Sequence, residues 1–388
     1  MSNAPQFDIE LSAFSDNPYP TLKHMREQAP ICNVPQLGGT LFTRRDDIFV
    51  CEKNIAVFSS HQPEGLMNRL MGCNLMRKDG ESHARERKII FPTVSPNTVR
   101  KEWISRFEQI TDGILDQICD QGKAELCSQY AMPVSGEALK IITGLTNITY
   151  NEMDSWSQAM IDGIANYQGD RQIESHCHQA TQNIDAAIDD MIPVVTKKPD
   201  CSLLSVMLQA QMPMDSLRAN IKLAISGGQN EPRDAIAGAA WALLSHPAQL
   251  KHVMAGRIEW KQVFEEYCRW ASPIGMSPRR IASDFTYEGI DFYENDKIFF
   301  MFNSANHDEQ YFVDADQFDL DRDASKSIAF GAGPHFCAGA WAARALVGEV
   351  ALPKLFNRFD PLRLGGDANV RFSGWAFRGP LEVNVEWD

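Results

Sequence analysis

The 388-residue sequence predicts a mainly α-helical, single-domain protein carrying small β-sheets at its edges. Three observations predict it. Apolar residues recur at helical spacing through most of Val99 to Leu250 and again from Ala338 to Arg358. The 280–303 stretch, "RRIASDFTYEGIDFYENDKIFFMF", alternates and carries turn signals at Glu288-Gly289 and Glu294-Asn295-Asp296. No repeat or low-complexity linker divides the chain, so residues 1–388 read as one domain.

Taken in order, the first 60 residues mix strand-like pieces such as "LGGTLFTRRDDIFVCE" with turns. The long helical region is interrupted at "TNIT" (146–149), "KKPD" (197–200) and "QMPMDS" (211–216), where Asp215 or Ser216 is expected to cap the next helix. The C-terminal "FSGWAFRGPLEVNVEWD" reads as strand, turn, strand. A net charge of −14 argues against a nucleic-acid binder and against attachment to anionic lipid. No signal peptide or membrane-spanning run is visible. Nine cysteines without a CxxC pair argue against structural zinc and point to reduced thiols in a cytoplasm.

Two stretches carry the chemistry. In "AISGGQNEPRDAIAGAAWALLSHP" (224–247), Gly227, Gly228 and Pro232 interrupt an otherwise regular helical pattern. Pro232 cannot donate to the Gly228 carbonyl. A bent helix of about 30 residues, opened at Gly228, is therefore expected. In "FGAGPHFCAGAWAARA" (330–345), Cys337 sits in a glycine-rich loop that opens a helix. The helix N-terminus favours a thiolate there, and Gly339 permits close approach of a flat partner. With no second Cys or His at ligand spacing, a metal at Cys337 should arrive with its other ligands attached, as haem does. A buried thiol beside a glycine turn is the bland alternative.

The loop residues Phe330, Gly333, His335, Cys337 and Gly339 resemble the haem-binding loop of the cytochrome P450 family. Glu266 and Arg269 in "FEEYCRW" resemble that family's buried Glu-x-x-Arg pair. His83 and Arg87, one helical turn apart, and Arg280 match its haem-propionate contacts, with His335 a further partner. "SANHDEQYFVDADQFDLDR" resembles the meander before the cysteine loop, with His307 where arginine is common. The resemblance implies a triangular helical prism with haem b between two long helices and Cys337 as the iron ligand. Its function would be to insert one oxygen atom from O2 into a small organic substrate.

"GGQNEP" falls on the family's oxygen-binding segment, which places Gly227, Gly228, Asn230 and Glu231 at the catalytic centre. Most members carry an acid and a threonine where this chain has Asn230 and Glu231. An ionised carboxylate only accepts hydrogen bonds; held protonated by burial, Glu231 would relay protons. The alternative is that Glu231 turns away to pair with Arg233 or to cap a freed N–H group. The Asn-Glu-Pro variant is similar to a minority of bacterial members, some of which remove methyl groups from small methoxy compounds.

By the same resemblance the pocket is walled by residues 64–76, 223–231, 272–276 and 374–379, with Met67, Met71, Met76, Trp375 and Phe377 as contacts. Arg378 reads as part of a solvated turn, the alternative being a contact with a polar group of the substrate. Electrons would come from a separate acidic ferredoxin and its NAD(P)H-dependent reductase. The docking patch on the cysteine side would be basic: Arg77, Lys78, Arg85, Lys88 and Arg344. A peroxide-driven oxygenase and a haem-binding sensor or carrier stand as alternatives.

Overall fold

A computed structural model describes residues 1–366 and 369–388. The helices that place the site are α1 (Gly80–Val94), α2 (Met132–Thr143), α3 (Tyr150–Ile164), α4 (Met214–Ser226), α5 (Asn230–Ser245) and α6 (Trp260–Ala271). The segments Ala340–Ala343, Arg344–Ala351 and Leu352–Arg358 form one continuous helical run, π-helical in its middle. α3 starts on a capping box in which Thr149 and Glu152 satisfy each other's backbone N–H groups.

The main sheet uses β1 (Ile31–Val34), β2 (Gly39–Phe42), β3 (Phe58–Ser59), β4 (Ser277–Ile281) and β5 (Lys297–Phe300), in spatial order β1-β2-β5-β4-β3. Only β2–β5 is parallel, as two strands so far apart in sequence allow. The strand-like pattern at 280–303 resolves into β4, a hairpin turning at Glu288-Gly289, and β5. Both turn residues have positive φ, as two-residue hairpins require.

The long helix expected around Gly228 is two helices. α4 ends at Gly227, and α5 restarts at Asn230. The break falls where the chain passes between two cores. Leu217, Ile221 and Ile225 pack with Met160, Ile184 and Leu204, whereas Ile236, Ala240 and Leu243 pack with Phe107, Tyr130 and Val347. Each half buries its own apolar face, so the glycines cost little cooperative packing.

Other expectations need correction. α4 starts after Pro213 without a side-chain cap; Asp215 lies in its first turn and the Ser216 hydroxyl accepts from Lys78 Nζ instead. Two N-terminal helices, Leu11–Asp16 and Tyr19–Gln28, lie in the region read as strands and turns. A short strand, Lys123–Glu125, pairs with the C-terminal Asn384–Glu386 inside the region read as helical.

Candidate haem and substrate site

Gly227, Gly228 and Glu231 from the helix break share one cavity of about 780 Å³ with Phe330, His335, Cys337 and Gly339 from the cysteine loop. The loop is built for its cysteine. Cys337 N–H donates to Phe330 O at 2.9 Å and Phe336 N–H to Gly333 O at 3.0 Å, closing the turn. Gly331 has a φ of 78°, and a Cβ on Gly333 would overlap the backbone of Glu52. Glu52 is buried, accepts from Ala332 N–H at 2.6 Å and pairs with Arg279 at 3.2 Å. It thereby ties the loop to β4.

Cys337 is accessible, but onto the interior cavity. Burial pushes its thiol upward, opposed by the Gly339 N–H and by Arg87 and Arg344. A Cβ on Gly339 would meet nothing within 4 Å, so bare backbone faces open space beside the sulfur. Arg87 also lines the cavity and has no hydrogen bond or ion pair among the described residues; burial lowers its pKa. A lone thiol facing open space, exposed glycine backbone and an uncompensated guanidinium fit a flat, dianionic, metal-bearing ligand.

The expected propionate partners are not all placed alike. His335 lines the cavity, but its Nε2 already pairs with Asp79 at 3.0 Å. His83 lies behind it, ring on ring at 4.2 Å, and does not line the cavity; its Nε2 has no partner and burial lowers its pKa to about 4. Arg280 reaches only the rim, where its guanidinium is held by His61 O at 3.1 Å and Asn295 Oδ1 at 2.7 Å. The inward residue is its neighbour Arg279, 2% exposed, with an unpartnered Nε. Strand alternation carried that signal, since Arg279 shares its face with the buried Ile281.

At the break, Pro232 leaves the Gly228 carbonyl without its helical donor. The Ser135 hydroxyl of α2 sits 2.8 Å from Gln229 O and 3.4 Å from Gly228 O. Asn230 does not line the cavity. Its amide is spent on α3, accepting from Ser157 Oγ at 2.6 Å and donating to Gln158 Oε1 at 2.7 Å. It therefore anchors the break instead of meeting a ligand. Glu231 does face the cavity, and both carboxyl oxygens are buried without a partner among the described residues. Arg233 is not its counter-ion, being held by Asp154 and Asp234, each at 2.9 Å. Burial first, then Asp234, raises the Glu231 pKa to about 8; its own N–H and Arg233 oppose this.

Elsewhere, Met67, Met76 and Phe377 line the cavity, whereas Met71 and Trp375 do not. Arg378 is not solvated: it is 8% exposed and binds Asp16 O at 2.9 Å and Gly374 O at 3.2 Å. Arg77 is not on the surface either, being 5% exposed and part of the cavity wall. Glu266 and Arg269 form a doubly bonded pair at 2.8 Å, 2% and 0% exposed, which also holds the carbonyls of Asn306, Ala315 and Gln317. His307 fills its place in the meander by bridging Asp316 and Trp270 O.

A helical prism whose interior cavity has a cysteine loop on one wall and a broken helix on another defines a class of haem enzymes. The cytochrome P450 sequence profile matches residues 260–369. The chain is 26% identical to the polyketide biosynthesis cytochrome P450 PksS of Bacillus subtilis, covering 90% of each. It is 27% identical to the steroid C26-monooxygenase of Mycolicibacterium smegmatis, covering 89% of this chain and 86% of that one. The crystal structure of P450BioI in complex with a hexadec-9Z-enoic acid-ligated acyl carrier protein matches with a TM-score of 0.88 at 20% identity, over 97% of this chain and 100% of the other. Over residues 260–369 the chain matches the cytochrome P450 model, and across about nine-tenths of its length it is similar to cytochrome P450 oxidoreductases, a likeness that implies haem b as the cofactor.

Proposed function

We propose that the protein is a haem-thiolate monooxygenase that uses O2 to hydroxylate, or oxidatively O-demethylate, a small organic molecule. One observation carries the reading: Cys337 and the unpartnered Glu231 face the same cavity. Cys337 would hold the haem iron. Arg87 and Arg279, with His335, would hold its propionates. The bound haem supplies oxygen activation. This chain's residues do the remainder. The Gly227–Gly228 gap clears space on the helix side, Ser135 and Asn230 fix that gap, and Glu231 holds a proton at its carboxyl near neutral pH. The apolar wall, including Ile161, Leu223 and Ala224, excludes water.

Electrons would come from a separate ferredoxin and its reductase. Arg85 and Lys88 are exposed on α1 and available to it; Lys78 is taken by Glu86 and Arg344 by Glu265. Nine free cysteines suit a reducing cytoplasm. Among the described residues no helix is long and apolar enough to cross a membrane.

The test compares wild type with Cys337→Ser. The ferrous–CO spectrum of the wild type should be of thiolate type and should lose that character in the variant. A thiolate spectrum retained by the variant removes Cys337 from the iron. Product formed with NAD(P)H, ferredoxin and reductase supports the monooxygenase; product formed only with added peroxide assigns the peroxide-driven alternative. Ligand binding without product in either assay assigns a carrier.

A further inference from the structure

We propose that the substrate is an organic anion, and that Arg77 holds its carboxylate at the end of the cavity where Tyr167, Arg280 and Lys297 converge. This inference rests on reading the cavity as the haem and substrate site.

Arg77 ends a short turn, Leu75–Arg77, and its guanidinium has no hydrogen bond or ion pair among the described residues; Nη1 is buried and unpartnered. A buried cation left alone is strongly disfavoured, so the site is built to receive an anion. Asp79, two residues on, does not serve. Its oxygens are occupied by His335, Ser59 Oγ and the N–H groups of Ser60 and His61.

The surroundings add positive charge and donors. Arg280 and Lys297 are direct cross-strand partners in β4 and β5, and neither is paired with an acid among the described residues. Like charges placed opposite each other repel unless something bridges them. Arg280 is held only by neutral acceptors. Lys297 is exposed at the strand end, and its ammonium lies 5.2 Å above the Tyr167 ring. Tyr167 lines the cavity within electrostatic reach of Arg77, and its hydroxyl has no hydrogen-bond partner among the described residues. Of the acids on the cavity wall, Glu52 is taken by Arg279 and Ala332, Glu231 is on α5, and Glu64 stands exposed at the rim.

A carboxylate could reach Arg77 from two sources, a haem propionate or a substrate. The geometry favours the substrate. The thiol of Cys337 feels Arg87, Glu231 and Arg344, whereas Arg77 feels Arg279, Tyr167, Asp79 and Cys73. Tyr167 packs on Phe299 and Trp375, while Phe330 of the cysteine loop packs on Phe264 and Phe336. Arg77 thus adjoins both Arg279 and Tyr167, and with Arg87 beside the thiol and Arg279 assigned to the propionates it is the guanidinium left for a substrate carboxylate at the Tyr167 end. Between Tyr167 and Glu231 the wall is apolar, with Ile161, Ile164 and Leu223. The fitting ligand has a carboxylate at one end, an apolar body, and the oxidised carbon at the far end.

The test is optical titration of the ferric holoenzyme with matched acid and amide pairs, 4-methoxybenzoate with 4-methoxybenzamide and octanoate with octanamide. For at least one pair the acid should bind about 100-fold tighter, the expectation for a desolvated charge-assisted pair. Arg77→Gln should bring that ratio within about threefold while amide affinity and haem content per protein stay unchanged. Tyr167→Phe and Lys297→Met should each lower the ratio about five- to tenfold, and they carry the test if Arg77→Gln does not accumulate. Equal binding of acid and amide in both wild-type pairs overturns the proposal. So does an Arg77→Gln protein that loses haem but keeps the acid preference, which assigns Arg77 to a propionate. Failure of the haem-thiolate reading shows separately, in the ferrous–CO spectrum, and calorimetric titration of the same pairs then decides the anion preference.

Discussion

Glu231→Gln isolates the proton that the site stores. The carboxyl is buried on both oxygens and its pKa is raised from 4.5 to about 8. The charged groups facing it are Asp234, which raises that value, Arg233, which lowers it, and Cys337 across the cavity. At pKa 8 the group is about nine-tenths protonated at pH 7 and about one-tenth at pH 9. If the protonated carboxyl is the donor, the rate of product formation falls about tenfold between those values. Glu231→Gln keeps the shape and removes the titration. Its product rate should fall by about 100-fold and lose that pH dependence, with NAD(P)H consumption continuing uncoupled. The assay is product per NAD(P)H at pH 7, 8 and 9 for both proteins. A wild-type rate flat across the range, or a variant that keeps its coupling, refutes the argument. Stability supplies an independent readout. A raised pKa means that the folded chain keeps a proton which the unfolded chain releases between about pH 4.5 and 8, so stability falls as pH rises through that window and levels off above it. The variant should lack that slope.

Two further outcomes concern the scaffold. Arg269→Ala leaves Glu266 buried without its main partner and removes one donor from each of three carbonyls, and should cost about 3–5 kcal/mol, read as loss of soluble haem-loaded protein or a lowered Tm. Gly238→Ala on α5 drives a Cβ into the Tyr267 phenol of α6 and should destabilise by about 1–3 kcal/mol, measured by thermal melting; an unchanged Tm means α5 can shift away from α6.

Much of this site was legible because its signals are local. The cysteine loop announces itself by glycine spacing, and the helix break by Gly227, Gly228 and Pro232 in an apolar helical pattern. What stayed hidden depends on direction and on distant partners. Neighbouring arginines 279 and 280 look alike in sequence, and strand pleating turns one inward and the other to the rim. Asn230 lies in the catalytic segment, yet Ser157 and Gln158, more than 70 positions away, claim its amide. Arg77 stands beside Lys78 in what reads as a solvated basic pair, and only the tertiary fold separates them. The N-terminal helices and the strand at Lys123–Glu125 are short, and their stability comes from packing or pairing with remote parts of the chain.

The tether from Asn230 to Ser157 has a consequence for affinity. Because the Ser157 hydroxyl also lies 3.0 Å from Ile225 O, its one proton is shared between acceptors on the two sides of the gap. The opening is thus standing architecture, held by protein groups before any ligand arrives. A guest entering this cavity meets a preorganised host, and its binding free energy is not diminished by the work of prising a helix apart.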